Sequence, residues 1–125
     1  MKIAELSEPR SNSEIMEDFI RFAYNELELA SLPKIELIAT HVSNEESNSF
    51  AAYSPGDRSV KLYTKGRHIL DVLRSLCHEF VHYKQDIEGR LKVGSGATGS
   101  DHENEANALA GQIMRKYGRA HPELF

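Results

Sequence analysis

The sequence predicts an α+β fold, in which an N-terminal helix is followed by a small, mostly antiparallel three-stranded sheet and then by two further helices. Three observations support this order. Apolar residues recur at helical spacing in three segments, residues alternate with a period of two between the first and second segments, and Pro and Gly residues separate the segments. Because 125 residues suffice for one domain with its own core, we expect a single domain over residues 1–125.

The composition argues against several classes of protein. The chain is 40% hydrophobic and 27% charged, as ordinary globular proteins are, and its net charge of −4 gives no reason to expect a nucleic-acid partner. No apolar stretch reaches the length of a membrane span and the N-terminus lacks a signal-peptide core, so we expect a cytoplasmic protein without a membrane partner. The single Cys77 cannot form an internal disulfide, and we expect a packed thiol there.

The first helix is predicted from about residue 12 to residue 30. Ser11-Asn12-Ser13-Glu14 has the form of a capping box, and the apolar residues that follow keep a helical period. Leu32-Pro33 ends this helix, because the residue before a proline disfavours helical backbone. Alternating residues then predict a strand from about Ile35 through Val42.

The next two strands are predicted to form a hairpin. Phe50–Tyr53 and Ser59–Thr64 have strand character, and Ser54-Pro55-Gly56-Asp57-Arg58 connects them. Pro-Gly suits the centre of a type II turn, because that turn needs a positive φ at its third residue. An exposed edge strand of such a hairpin can pair with an extended peptide.

The segment from residue 69 to residue 87 carries the main functional motif. Its apolar residues define one helical stripe, formed by Ile69, Val72, Leu73, Leu76, Phe80, Tyr83 and Ile87. Within it, His78-Glu79-Phe80-Val81-His82 reads H-E-x-x-H, so both imidazoles lie on one helix face and can share a metal ion. A helical wheel places His78 and His82 opposite the stripe, and we expect them to face out of the core. The alternative is a pair of surface histidines.

A metal site of this kind needs a third protein ligand, because catalytic zinc sites use three and leave one position for water. The last helix is predicted from about residue 101 to residue 117, with Gly118 ending it. Ser100-x-x-Glu103 is a second capping box, which predicts a structural role for Glu103 at the helix start.

Glu105 is the predicted third ligand. It shares a helix face with the apolar Leu109 and Ile113, which should turn towards the protein body, and an inward carboxylate needs a cationic partner. Two alternatives stay open. In the first, Glu105 pairs with a lysine or arginine or lies at the edge of the face. In the second, His102, one turn earlier on a similar face, is the ligand instead.

These motifs resemble a known family. His78-Glu79-Phe80-Val81-His82, followed by Glu105-Ala106-Asn107-Ala108-Leu109-Ala110, is similar to the gluzincin metallopeptidases, in particular to compact ImmA/IrrE-like and phage-type metallopeptidase domains. The second motif of those domains reads roughly E-A-N-x-F-A, and Leu109 stands where they often have an aromatic residue. The resemblance covers roughly residues 50–117.

The resemblance implies a minimal zincin-like domain that hydrolyses peptide bonds of a protein or peptide substrate. It implies His78, His82 and Glu105 as ligands of zinc (Zn²⁺), with Glu79 as the general base that takes a proton from a zinc-activated water. A His-His-Glu set favours zinc over calcium or magnesium, which prefer oxygen ligands alone.

Two other functions compete with a peptidase. The first is a catalytically weak zincin-like module that binds a partner through its strand edge. The second is a SprT-like protease acting on DNA-bound proteins, with His102 as third ligand. The residues after His102, Glu103-Asn104-Glu105, lack the glycine-containing motif typical of those sequences, and the acidic pI of about 5.8 disfavours a nucleic-acid partner.

Overall fold

The computed structural model describes residues 11–38, 51–89 and 101–124, and within these ranges it contains three α-helices and one three-stranded sheet. In chain order the elements are α1 (Asn12–Glu26), β1 (Lys34–Ile38), β2 (Ala51–Ser54), β3 (Ser59–Tyr63), α2 (Ile69–Ile87), α3 (Asp101–Ala120) and a 3₁₀ turn (Pro122–Leu124). The predicted α+β class and the element order are confirmed. In these ranges no helix is both long enough and apolar enough to cross a bilayer.

Helix α1 begins at the predicted cap but ends earlier than predicted. Ser11 Oγ accepts a hydrogen bond from the Glu14 N–H at 3.2 Å, which caps the helix. The helix ends at Glu26 instead of near residue 30. Glu28 adopts a left-handed backbone (φ 54°), and this turn lets both Leu27 and Leu29 enter the core.

The sheet is mixed, so the prediction of a mostly antiparallel sheet is wrong for one of its two pairings. The strand order is β1-β3-β2, with β1 parallel to β3 and β2 antiparallel to β3. The central strand β3 buries Val60 and Leu62, whereas the β1 residue Leu37 is exposed. Alternation in a sequence reports which face of a strand is buried and carries no information on the direction of its neighbour. The predicted extension of β1 to Val42 lies outside the described residues.

The predicted hairpin between β2 and β3 is confirmed, but its turn is not of type II. Ser54 pairs with Ser59, so four residues form the loop. Gly56 does not adopt a positive φ, and the left-handed residue is Arg58 at the end of the loop (φ 51°). Four-residue hairpin loops are most often built around a type I turn, in which Gly56 needs no special backbone.

Helix α2 spans the predicted residues and lies at the centre of the fold. It contacts α1, α3, β2 and β3, and its N-cap is His68, whose Nδ1 accepts from the Leu70 N–H at 3.1 Å. Ten of its residues are buried, including Cys77. Burial raises the pKa of the Cys77 thiol to about 12. The packed thiol is therefore confirmed. The expectation that the histidine face of α2 points out of the core is not confirmed, since His82 is only 7% exposed and Gln85 is fully buried.

Helix α3 explains this difference, because it covers the polar side of α2. Its buried residues are Ala106, Ala110, Ile113, Met114 and Tyr117. The helix continues past Gly118 to Ala120, so Gly118 does not end it as predicted. Continuation keeps Tyr117 fully buried, with its ring 5.0 Å from that of Phe19 and its hydroxyl donating to Asp18 Oδ2 at 2.8 Å.

Replacing Tyr117 with Phe should lower the free energy of unfolding by about 1 kcal/mol, because one partly buried hydrogen bond is lost while the ring packing stays. Asp18 keeps His121 as a neighbour at 3.4 Å, so its charge is not left alone. Urea unfolding measures the change. The control is Tyr24→Phe, which removes a longer, exposed bond to the Ala30 carbonyl (3.3 Å) and should change stability less. Equal effects of the two variants would contradict this account of how α3 is held to α1.

Candidate metal centre

One carboxylate lies between the two imidazoles of the H-E-x-x-H motif. His78 Nε2 is 2.8 Å from Glu103 Oε1, and His82 Nε2 is 3.0 Å from Glu103 Oε2. One ligand atom from each of the three residues lies within 4.8 Å of the other two. The sequence correctly places both histidines on one face of α2, but the carboxylate that reaches them is Glu103.

The helix pairing determines which acidic residue reaches the histidines. The contacts pair the end of α2 with the start of α3, so the two helices run antiparallel. Glu103 precedes the buried Ala106 by three residues and Ala110 by seven, so it lies on the face that packs against α2. Glu103 therefore does more than fill the structural role that the sequence predicted for it at the helix start. Ser100, the other residue of the predicted capping box, lies outside the described residues.

Glu105 does not join the two histidines, contrary to the expectation for the third ligand. It lies one residue before Ala106, which turns it by about 100° from the buried stripe. Its Oε1 instead accepts a hydrogen bond from Gln85 Nε2 at 2.9 Å. The His102 side chain is not part of the group either, although its backbone carbonyl accepts from the same Gln85 nitrogen at 2.9 Å.

Gln85 holds the His82 ring in one tautomer. Both partners of Gln85 Nε2 are acceptors, so that atom is the amide nitrogen and Oε1 is the oxygen. The oxygen lies 2.8 Å from His82 Nδ1 and can only accept, so Nδ1 carries the proton. The Nε2 lone pair of a neutral His82 then faces the Glu103 carboxylate. Two acceptors at 3.0 Å require a proton or a metal ion between them.

Glu79 lies beside this group on the β2 side of α2. It is 8% exposed and accepts a hydrogen bond from the Tyr53 backbone N–H. Burial raises the pKa of Glu79 to about 7, and the negative charge of Glu103 adds to the rise, while His82 and the Tyr53 N–H oppose it. A carboxyl group with a pKa near neutrality can both accept and release a proton at physiological pH.

The side chain of Tyr53 attaches β2 to α2 at a second point. Its hydroxyl donates to Asp86 Oδ2 at 2.5 Å, and Arg58 approaches the same oxygen at 3.7 Å. Asp86 therefore anchors the hairpin one turn beyond His82. Its role is to fix the distance between the edge strand and the motif helix.

The protonation of His78 follows from its surroundings. Burial lowers its pKa, while the charge of Glu103 and hydrogen bonds to Glu103 and Asn107 act in the opposite direction. Burial being the larger effect, the neutral ring is favoured. A neutral imidazole is the form that binds a metal ion.

The three residues of the group could hold a metal ion. Ligand atoms at about 2.0–2.2 Å from one zinc ion lie no more than roughly 4.4 Å apart, and both nitrogen-to-oxygen distances meet that limit. No protein-family model, curated protein or solved structure matches the chain.

Glu79→Gln should change how the stability of the metal-free protein depends on pH. The pKa of Glu79 is higher in the folded protein than in the unfolded chain. The contribution of Glu79 to the free energy of unfolding is therefore fully present below pH 4.5 and is lost as pH rises through 7. Across this pH window the free energy of unfolding of wild type should fall by up to about 3 kcal/mol more than that of Glu79→Gln. Urea unfolding in a chelator at several pH values measures the difference. Exposed Glu17→Gln is the control and should follow wild type, and parallel curves for wild type and Glu79→Gln would contradict the buried position of this carboxyl.

Proposed function

We propose that this chain is a zinc-dependent metallopeptidase with a minimal zincin-like domain. His78, His82 and Glu103 are the proposed ligands, and Glu79 is the proposed general base. The observation that supports this most is the convergence of both imidazole Nε2 atoms on one carboxylate, directly beside a second, buried carboxyl group. The resemblance of the motif to gluzincin metallopeptidases supports the same reaction, with Glu103 in place of Glu105 as third ligand.

Two imidazoles and one carboxylate are a ligand set suited to zinc, and three protein ligands leave a position for water. When bound, zinc supplies a Lewis acid that makes water more acidic and polarises a peptide carbonyl. The remaining steps belong to the protein. Glu79 accepts the proton of the attacking water and passes it to the amine that leaves, and its pKa near 7 suits both transfers.

The edge of β2 that faces away from β3 is the proposed binding site for the peptide backbone. Because the Tyr53 N–H bonds Glu79, Tyr53 directs its backbone groups away from β3, and alternation gives Ala51 the same direction. Among the described strands, β2 has β3 as its only neighbour. A peptide paired with this edge lies next to Glu79 and the histidines.

The geometry gives the competing functions less support. A SprT-like site needs the imidazole of His102 near His78 and His82, and Glu103 lies there instead. A purely structural zinc site is usually closed by four protein ligands, and in the described part of the chain three such residues converge. A catalytically weak binding module remains the alternative that an activity assay must address.

The ligand assignment is tested by zinc affinity. Glu103→Ala should weaken zinc binding more than a hundredfold, because it removes a ligand. Glu105→Ala should weaken it about tenfold, because it loosens the Gln85 contact that orients His82. Competition with a chromophoric chelator measures both constants, with His102→Ala as a control that should stay near wild type. Zinc bound normally by Glu103→Ala but lost from Glu105→Ala would contradict the assignment.

The reaction is tested by Glu79→Gln in the zinc-loaded protein. We expect cleavage of unfolded proteins and peptides to fall by about 10² to 10⁴, with zinc content unchanged, because only the proton acceptor is removed. Glu17→Gln is the matched control and should cleave like wild type. A Glu79→Gln protein that retains proteolysis would overturn the mechanism. Zinc-loaded wild type that cleaves nothing in a broad substrate panel would favour the binding module.

A further inference from the structure

A pocket of about 200 Å³ lies beside the proposed metal centre, in the groove between α2 and α3. Its lining includes Arg74, His78, Asn107, Gly111, Met114 and Arg115. His78 thus belongs both to the pocket and to the proposed metal centre, so the two spaces adjoin. The pocket continues the groove by one turn towards the start of α2, since Arg74 precedes His78 by four residues.

The pocket carries two positive charges and no negative one among its lining residues. Arg74 and Arg115 are both exposed, and neither has an ion-pair partner in the described part of the chain. Neighbouring basic residues differ in this respect, since Arg67 binds Asp71 at 2.9 Å and Lys116 binds Glu26 at 2.6 Å. In a chain with a net charge of −4, two such arginines give this pocket a local positive charge that favours an anion.

The guanidinium of Arg115 lies over Gly111. A Cβ built at Gly111 would lie 3.6 Å from Arg115 Nη1, so the Arg115 side chain lies back over the preceding turn of α3. Asn107, one turn before Gly111, hydrogen-bonds His78. The groove therefore offers guanidinium and amide groups in a line that ends at the imidazole of the metal centre.

We propose that this pocket is a substrate subsite that binds a carboxylate within about two residues of the bond that is cleaved. The proposal rests on the proposed function, because the substrate is taken to be a peptide. Arginine guanidinium groups bind carboxylates through paired charge-assisted hydrogen bonds. A volume of about 200 Å³ has room for a carboxylate on a short carbon stem. The carboxylate is either the C-terminal one of a peptide or that of an Asp or Glu side chain.

The first experiment compares cleavage of two peptide libraries by the zinc-loaded protein. One library is native, and in the other all carboxyl groups are converted to amides. Mass spectrometry should find Asp, Glu or a chain end within two residues of most cuts in the native library, and amidation should lower cleavage about tenfold. Enrichment of chain ends identifies the C-terminal carboxylate, and enrichment of internal Asp or Glu identifies the side chain.

The variants are Arg74→Gln, Arg115→Gln and the double substitution, with Arg21→Gln on α1 as an exposed, distant control. Each pocket variant should lower kcat/KM for carboxylate-bearing peptides about tenfold and leave neutral peptides unchanged, and Arg21→Gln should match wild type. Gly111→Leu keeps both arginines but fills the space, and it should reduce the same preference. The subsite proposal would be overturned if wild type showed no preference for acidic residues or chain ends near its cuts. It would also be overturned if the pocket substitutions lowered cleavage of both libraries equally.

A binding measurement separates failure of the subsite from failure of the proposed function. The probes are N-acetyl-dialanine with a free carboxylate, its amide, and N-acetylglutamate α-amide, which keeps only the side-chain carboxylate. The backbone amide NMR signals of Gly111 and Asn107 should shift with the carboxylate probes alone, and added salt or the double variant should abolish the shift. If the carboxylate probes shift these signals but the protein cleaves nothing, the carboxylate site is supported and the proposed peptidase function is rejected. If the protein cleaves peptides but the probes cause no shifts, only the subsite is rejected.

Discussion

The packing of α3 against the polar side of α2 is the constraint on which the rest of the site depends. It buries His82 and Gln85, so their polar atoms must be satisfied within the protein. Gln85 satisfies this requirement with three hydrogen bonds, to His82, to the His102 carbonyl and to Glu105. In the described residues no buried side-chain nitrogen or oxygen lacks a partner. Satisfying these groups orients the His82 ring, so packing and site geometry have the same cause.

The charges of the site follow from the same burial. Glu79 and Glu103 are two carboxyl groups close to one another, and a low-dielectric surrounding disfavours charging both. A cation between Glu103 and the imidazoles offsets the charge of Glu103 and so reduces this repulsion. A proton on Glu79 removes the charge of the other carboxyl group and has the same effect. The hairpin sets the position of Glu79, because Tyr53 contacts it through the backbone and binds Asp86 through the hydroxyl.

Much of the architecture could be predicted because it depends on local patterns. The limits of α2, the hairpin, the cap at Ser11 and the buried thiol of Cys77 all follow from residue spacing and are present in the fold. The errors concern features with a non-local cause. The direction of β1, the end of α1 at Glu26 and the extension of α3 past Gly118 each depend on what the chain packs against.

The sequence by itself determined that His78, Glu79 and His82 share one helix, because a helix brings residues four apart together whatever surrounds it. It did not determine which carboxylate meets them. Glu103 and Glu105 differ by two positions, or about 200° around α3, and only the packing of that helix selects between them. The buried stripe from Ala106 to Tyr117, extended back by three residues, indicates Glu103. Packing also buried the histidine face, because the partner that covers it comes from another part of the chain.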